Sequence, residues 1–217
     1  MAKGVEGIRI LLIRHGETDW NRIRRFQGRS DLSLNQEGRD QARALGLALK
    51  DETLTAIYSS PLIRAIETAR LIKEFHPSTP LFEEEGLIEM DLGDFDGMEA
   101  QNWAAQYPDF LKAWQENPAS VTMPGGENLR VVQDRAVEAL ERITQLYPSR
   151  STLLICSHNF VNLTILCYAL DISLDRFREL RQGTTALNVL YKRGERLWAE
   201  VVNERSHLQK YKEQGAK

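Results

Sequence analysis

Short β-rich apolar runs alternate with segments of helical period along most of this chain, and that alternation leaves few folds open to it. Ile8 to Ile13 reads as a strand, Gly38 to Lys50 as a helix with Ala42, Leu45 and Leu49 at helical spacing, and Thr55 to Tyr58 as a second strand. Together they predict a βαβ opening. Ser60-Pro61 reads as an N-cap followed by proline at the first helical position, starting a helix to about Glu74. Phe82 to Gly97 is expected to be irregular. From about Gln101 to Gln115, Trp103, Tyr107, Phe110 and Trp114 recur every three or four residues, which predicts a helical excursion broken by Pro108; residues 90–125 would then form a helical lid. A helix from Leu129 to Leu146, a buried strand at Thr152 to Cys156, an apolar helix at Val161 to Leu170 and strands at Leu187 to Tyr191 and Leu197 to Val202 complete the pattern. The predicted fold class is α/β, a three-layer sandwich with a mostly parallel central sheet flanked by helices on both faces.

No internal repeat or break in composition divides the 217 residues, so one domain over 1–217 is expected. With 42% hydrophobic and 27% charged residues, a packed core is expected rather than disorder. The net charge of -3 argues against a nucleic-acid footprint but leaves room for a local cationic pocket. Near the amino terminus the only apolar run is short and interrupted by Arg9, too short for a signal segment or membrane span, so no membrane partner and a cytoplasmic location are expected. Cys156 and Cys167 read as buried free thiols, and His15, His76, His158 and His207 form no HExxH or HxH pattern. Neither a metal nor another cofactor is therefore expected. Self-association as a homodimer is left open.

In open α/β sheets, ligands collect outside the carboxyl ends of the strands. Here the first strand ends in Arg14-His15-Gly16-Glu17, the second is followed by Ser59-Ser60-Pro61-Leu62-Ile63-Arg64, and the late strand ends in Ser157-His158-Asn159. Arg64 falls in the first turn of its helix, where the dipole disfavours a cation by roughly 0.3–1 kcal/mol. A bound anion would reverse that penalty, and a guanidinium fork suits a phosphate. Within such a pocket a neutral histidine can attack phosphorus in line. His15 is the better placed for this role, because Gly16 lets backbone come close and offers a carbonyl to fix the ring tautomer; His158 becomes a second phosphate contact. A leaving alkoxide also needs a proton from a carboxyl group held protonated. Glu89, in the mostly apolar segment Leu87 to Gly93, is the candidate, and Asp91 competes with it.

Singly, each residue has a plainer reading: Arg14-His15 as loop packing, Arg64 paired with Glu67 or Asp51, His158 as a core histidine, Glu89 as a surface carboxylate, and the Trp103 to Trp114 stripe as core. The convergence of three loops on one sheet edge favours a site.

The stretch Leu11-Leu12-Ile13-Arg14-His15-Gly16-Glu17-Thr18 resembles the signature of the histidine phosphatase superfamily, the phosphoglycerate mutase-like proteins. The likeness continues through Asn21, Arg25-Phe26-Gln27-Gly28, Asp31-Leu32-Ser33-Leu34, Gly38 with Gln41-Ala42, and Ser59-Ser60-Pro61 with Arg64-Ala65 and Glu67-Thr68-Ala69. Leu87, Glu89, Gly93 and Gly97, then Pro124-Gly125-Gly126-Glu127, then Ser157-His158 complete it. The resemblance implies a phosphohistidine at His15, phosphate contacts from Arg14, Arg64 and His158, Glu89 as proton donor and acceptor, and Asn21, Gln27, Gly28 and Asn159 lining the substrate side. In two places the chain departs from the family pattern: Asn159 stands where glycine is common, and Asp94-Phe95-Asp96 replaces a tryptophan-glutamate segment.

The function expected on this basis is hydrolysis of a small phosphorylated metabolite, in the manner of the small bacterial broad-specificity or α-ribazole phosphatases, which Gln27-Gly28 resembles. A cofactor-dependent phosphoglycerate mutase is the first alternative, disfavoured by the compact stretch from Asp91 to Gly125. An inactive relative that binds a phosphorylated ligand is the second, disfavoured because all of Arg14, His15, Arg64, Glu89 and His158 are present.

Overall fold

The computed structural model describes residues 6–209. Its centre is a six-stranded sheet in the order β3-β2-β4-β1-β5-β6. The strands are β1 (Ile8–Arg14), β2 (Ala56–Ser59), β3 (Leu81–Glu83), β4 (Thr152–Ser157), β5 (Leu187–Arg193) and β6 (Arg196–Glu204). Strands β1 to β4 run parallel, while β5 pairs antiparallel with β1 and β6 antiparallel with β5. The helices are α1 (Asp19–Arg22), α2 (Gln36–Ala48), α3 (Ile63–Lys73), α4 (Ala100–Gln106), α5 (Pro108–Glu116), α6 (Leu129–Gln145) and α7 (Asn159–Ala169). The fold is therefore α/β, with a mixed but mainly parallel sheet between two helical layers.

The central strand shows why. Ile10 and Leu12 pack with Val132, Ala136 and Leu140 of α6 and with Val161 and Ile165 of α7. Leu11 and Ile13 pack on the other face with Leu45 of α2 and Ala65, Ala69 and Ile72 of α3. A strand covered on both faces must be apolar at every position, which is how Leu11-Leu12-Ile13 reads.

Four details differ from the sequence expectation. First, β4 lies between β1 and β2, so the opening βαβ strands are parallel but not neighbours. Second, α3 begins at Ile63, not at Pro61. Ser60 Oγ lies 2.7 Å from His158 Nε2, and the start of the helix is instead met by Asp31, whose Oδ1 accepts the Ile63 N–H at 2.6 Å. Third, the segment read as irregular contributes β3, a short edge strand. Fourth, α7 starts two residues early, at Asn159. Pro108 does divide the excursion: it opens α5 at the first helical position, where its missing N–H costs nothing. Of the aromatics of that stretch, Trp103 and Trp114 are buried in the core and Phe110 packs against it, edge-on to Phe95 at 4.8 Å, while Tyr107 is exposed. Among the described residues no helix is long and apolar enough to cross a membrane.

One close approach sets the entrance to the first strand-end loop. A side chain on Gly16 would overlap the Gly38 backbone, and one on Gly38 would overlap Glu17. The first turn of α2 thus presses directly on the loop after β1, with Asn35 Oδ1 capping the Gly38 N–H at 2.8 Å. Replacing Gly38 by Ala is expected to destabilise the protein by about 1–3 kcal/mol, the usual cost of overpacking. Urea unfolding measures this, and an unchanged midpoint would show that the contact is not tight.

Candidate active site

The parallel strands end level. Arg14 pairs with Ser157 in register and Ser59 with Cys156, so His15, Ser60 and His158 follow side by side on the same edge. The His15 N–H donates to the Ser157 carbonyl at 3.0 Å and the Ser60 N–H to the Cys156 carbonyl at 3.0 Å, extending the ladder one step into the loops.

Two guanidinium groups enter this edge, and carbonyls hold both. Arg64 is fully buried; its Nη1 donates to the Ser30 carbonyl at 2.8 Å and its Nη2 to the Gly28 carbonyl at 2.7 Å. Arg14 Nη1 donates to the Gln182 carbonyl, and its Nε is buried without a protein partner. Burial pushes both guanidinium groups down to about 10, partly opposed by the nearby Glu89 charge. A carbonyl satisfies a donor but does not neutralise a charge, so the positive potential persists for an anion.

The two histidines face each other with ring centroids 5.2 Å apart. His15 Nδ1 lies 2.7 Å from the Gly16 carbonyl. Because a carbonyl only accepts, Nδ1 carries the proton and the lone pair sits on Nε2. Burial, and then the Arg64 and Arg14 charges, hold the His15 pKa well below its ordinary value, so the neutral nucleophilic form persists into acid. His158 is shifted the same way, by burial and then by Arg64, and its Nδ1 is buried without a partner.

Glu89 is 2% exposed and sits against the first turn of α7. Its Oε1 accepts from Met90 N at 2.9 Å and Val161 N at 3.4 Å, and its Oε2 accepts from Phe160 N at 3.3 Å. Burial raises its pKa, opposed by the Met90 amide and the Arg64 charge. Asp91, the competing acid, is turned elsewhere: it lies 3.5 Å from Arg29 and accepts from Gly93 N at 2.9 Å.

A clamp below fixes this segment. Arg135 forks onto Glu127 at 2.9 and 3.0 Å, and also donates to the Gly86 carbonyl at 2.9 Å and the Glu89 carbonyl at 3.2 Å. Glu127 in turn accepts from Asp91 N at 2.9 Å. Burial alone would raise the Glu127 pKa, but the Arg135 fork, the Asp91 amide and the Arg29 charge together lower it.

The remaining residues named from the sequence mostly support this arrangement. Gln27, with its amide nitrogen donating to Thr18 Oγ1 at 2.8 Å, turns its oxygen to Arg64 Nε at 3.2 Å and Nη1 at 3.3 Å. Gly28 contributes a carbonyl to Arg64. Asn21 spends its side-chain oxygen on the capping box with Thr18, accepting from Thr18 N at 3.1 Å. Asn159 is half-buried at the start of α7. Asp96, flagged only as part of a departure from the family pattern, accepts from Gly28 N at 2.9 Å and Ser30 N at 2.8 Å, bracing the residues that hold Arg64. The sequence reading missed Ser60, Gln182 and Arg135 as contributors, because each acts through a contact distant in sequence.

Comparison with known proteins shows the family of the chain. Residues 10–205 match the description "Histidine phosphatase superfamily (branch 1)". Phosphoserine phosphatase 1 of Hydrogenobacter thermophilus is 31% identical over 201 residues, covering 93% of this chain and 94% of that protein. A metal-independent phosphoserine phosphatase of Arabidopsis thaliana is 33% identical over 148 residues, covering 67% of this chain and 62% of that one. Among solved structures, Bacillus stearothermophilus YhfR superposes with a TM-score of 0.87 at 31% identity, covering 93% of this chain and 99% of that chain. The chain belongs to the histidine phosphatase superfamily. It is a phosphatase of the phosphoglycerate mutase-like kind.

The raised Glu89 pKa has a consequence for stability. Between the unfolded and folded pKa the folded state binds more protons than the unfolded one, so stability falls as pH rises through that window. Glu89→Gln lacks this dependence. Its Tm relative to the parent protein is expected to carry an increment that grows as pH rises above the ordinary carboxylate value of 4.5. An increment that does not change with pH would contradict the raised pKa.

Proposed function

We propose that this protein hydrolyses small phosphomonoesters in the cytoplasm through a phosphohistidine on His15. The observation that carries the reading is the pairing of a neutral His15, its lone pair fixed on Nε2, with two carbonyl-held guanidinium groups on one strand edge. In this account Arg14 and Arg64 grip the phosphoryl oxygens and stabilise the charge that builds on them. His158 adds a further contact. His15 Nε2 attacks phosphorus as the ester P–O bond breaks, and protonated Glu89 gives its proton to the departing alkoxide. The Glu89 carboxylate then takes a proton from water, whose oxygen attacks phosphorus, releasing inorganic phosphate and regenerating neutral His15. No metal enters these steps, because the guanidinium groups supply the charge.

Asn21, Gln27, Gly28 and Asn159 belong to the substrate side in this reading, with Gln27 and Gly28 acting through Arg64. The 90–125 excursion would cover the leaving group. Transfer to a second substrate, as in a mutase, is the lesser reading, since the relatives that match along most of the chain include ones named as phosphatases.

The substrate dependence of the acid tests the proposal. A phenolate leaves with little protonation, whereas an alkoxide needs a proton in the transition state. Glu89→Gln is expected to lower kcat/KM about a hundredfold or more for an alkyl phosphate and far less for p-nitrophenyl phosphate, while His15→Ala abolishes turnover of both. Equal losses on the two substrates in Glu89→Gln would make Glu89 a structural group. Full activity in His15→Ala would remove the proposed intermediate.

A further inference from the structure

The peptide between His15 and Gly16 is held at both its polar groups. Thr68 Oγ1 accepts from the Gly16 N–H at 3.0 Å and donates to the Arg64 carbonyl at 2.7 Å. The Thr185 N–H donates to the His15 carbonyl at 3.2 Å, and one residue further on the Ala186 carbonyl accepts from the Arg14 N–H at 3.2 Å. The next carbonyl along the chain, that of Gly16, is the one that fixes the His15 ring. The orientation of this peptide therefore decides where His15 Nε2 stands.

Thr185 makes its contact from an unfavourable conformation. Its φ is 52°, in the left-handed region, where a β-branched residue is strained. Such a residue persists only where its surroundings over-determine it. Thr185 is fully buried, and its hydroxyl donates to the Thr184 carbonyl at 2.8 Å, which leaves the oxygen free only to accept. His207 Nε2, on the segment after β6, lies 3.1 Å from that oxygen. His207 is itself buried, with Glu204 Oε2 3.9 Å from its Nδ1. Burial lowers its pKa, opposed by the Glu204 charge, so near neutral pH the ring is neutral and carries one proton. Thr185 Oγ1 is the acceptor that takes it.

We propose that His207 is a positioning residue for the nucleophile: by pinning the Thr185 hydroxyl it holds the left-handed turn whose N–H fixes the His15 carbonyl. This rests on the reading of His15 as the nucleophile above. The effect falls on phosphoryl transfer to His15 more than on phosphate binding, because the Gly28 and Ser30 carbonyls hold Arg64 independently of this turn.

Single turnover with the protein in excess over p-nitrophenyl phosphate reads that transfer, since the phenolate leaves with little help from Glu89 and hydrolysis of the intermediate comes later. His207→Ala is expected to slow nitrophenolate release about tenfold or more, while the Kd for inorganic phosphate, from calorimetric titration, changes less than about threefold. His207→Gln, whose amide N–H reaches in the same direction, should recover most of the rate. Thr185→Gly adopts the left-handed turn without strain and offers no hydroxyl, so removing His207 in that background should cost less than about twofold. An unchanged rate in His207→Ala, equal losses of rate and phosphate affinity, or an undiminished cost in the Thr185→Gly background would overturn the proposal. If His207→Ala does not fold, Thr185→Ser and Thr185→Ala make the test from the other end: serine keeps the acceptor and should keep the rate, alanine should lose it, and equal rates would overturn the proposal. Failure of the nucleophile reading appears separately, as nitrophenolate release that persists in His15→Ala.

Discussion

Everything at the strand edge depends on how two guanidinium groups, Arg64 fully buried and Arg14 half-buried, are held. Arg64 and Arg14 are fixed by the carbonyls of Gly28, Ser30 and Gln182, and among the described residues neither forms a salt bridge. A carboxylate in place of those carbonyls would cancel the potential that attracts an anion. Burial, and then the charges that remain, keep His15 and His158 neutral. The same charges pull the Glu89 carboxyl toward ionisation, and burial outweighs that pull. Burial, reinforced by these charges at the histidines and opposed by them at Glu89, thus sets the protonation of the edge.

Holding those carbonyls in place occupies a large part of the fold. Asp96 fixes the amides on either side of Arg29, Asp31 meets the start of the helix that carries Arg64, and Gly38 presses α2 onto the loop after β1. The Arg135–Glu127 clamp performs the corresponding task for Glu89, reaching both the Gly86 and Glu89 carbonyls. The ion pair is half-buried and multiply bonded, which is where an ion pair contributes orientation as well as energy.

The layered architecture was legible because periodicity is local: Ile8 to Ile13 reads as a β-rich strand, and the Leu129 to Leu146 stripe as a one-sided helix. The five chemical residues were legible for a related reason. His15 and His158 follow strand ends directly, Arg64 stands conspicuously in a helix first turn, and the resemblance supplied Glu89, which local sequence could not separate from Asp91. What separates those two carboxyls is the direction each takes in the folded chain, into the first turn of α7 or toward Arg29. The Ser60-Pro61 signal misled because Ser60 lies against His158, 98 residues away, and an acid from the 31 region met the helix instead. Ser60, Asp96 and Arg135 gain their meaning only from such distant contacts, which no window along the chain contains.

The central claim is that phosphate passes through His15, and trapping the intermediate tests it most directly. The protein is mixed with a rapidly turned-over phosphomonoester and quenched in alkali, where phosphohistidine survives, and the modified peptide is identified by mass spectrometry. The account predicts one phosphoryl group on the peptide carrying His15, lost on brief acid treatment and absent in His15→Ala. A phosphoryl group on any other residue, or equal labelling in His15→Ala, would contradict it.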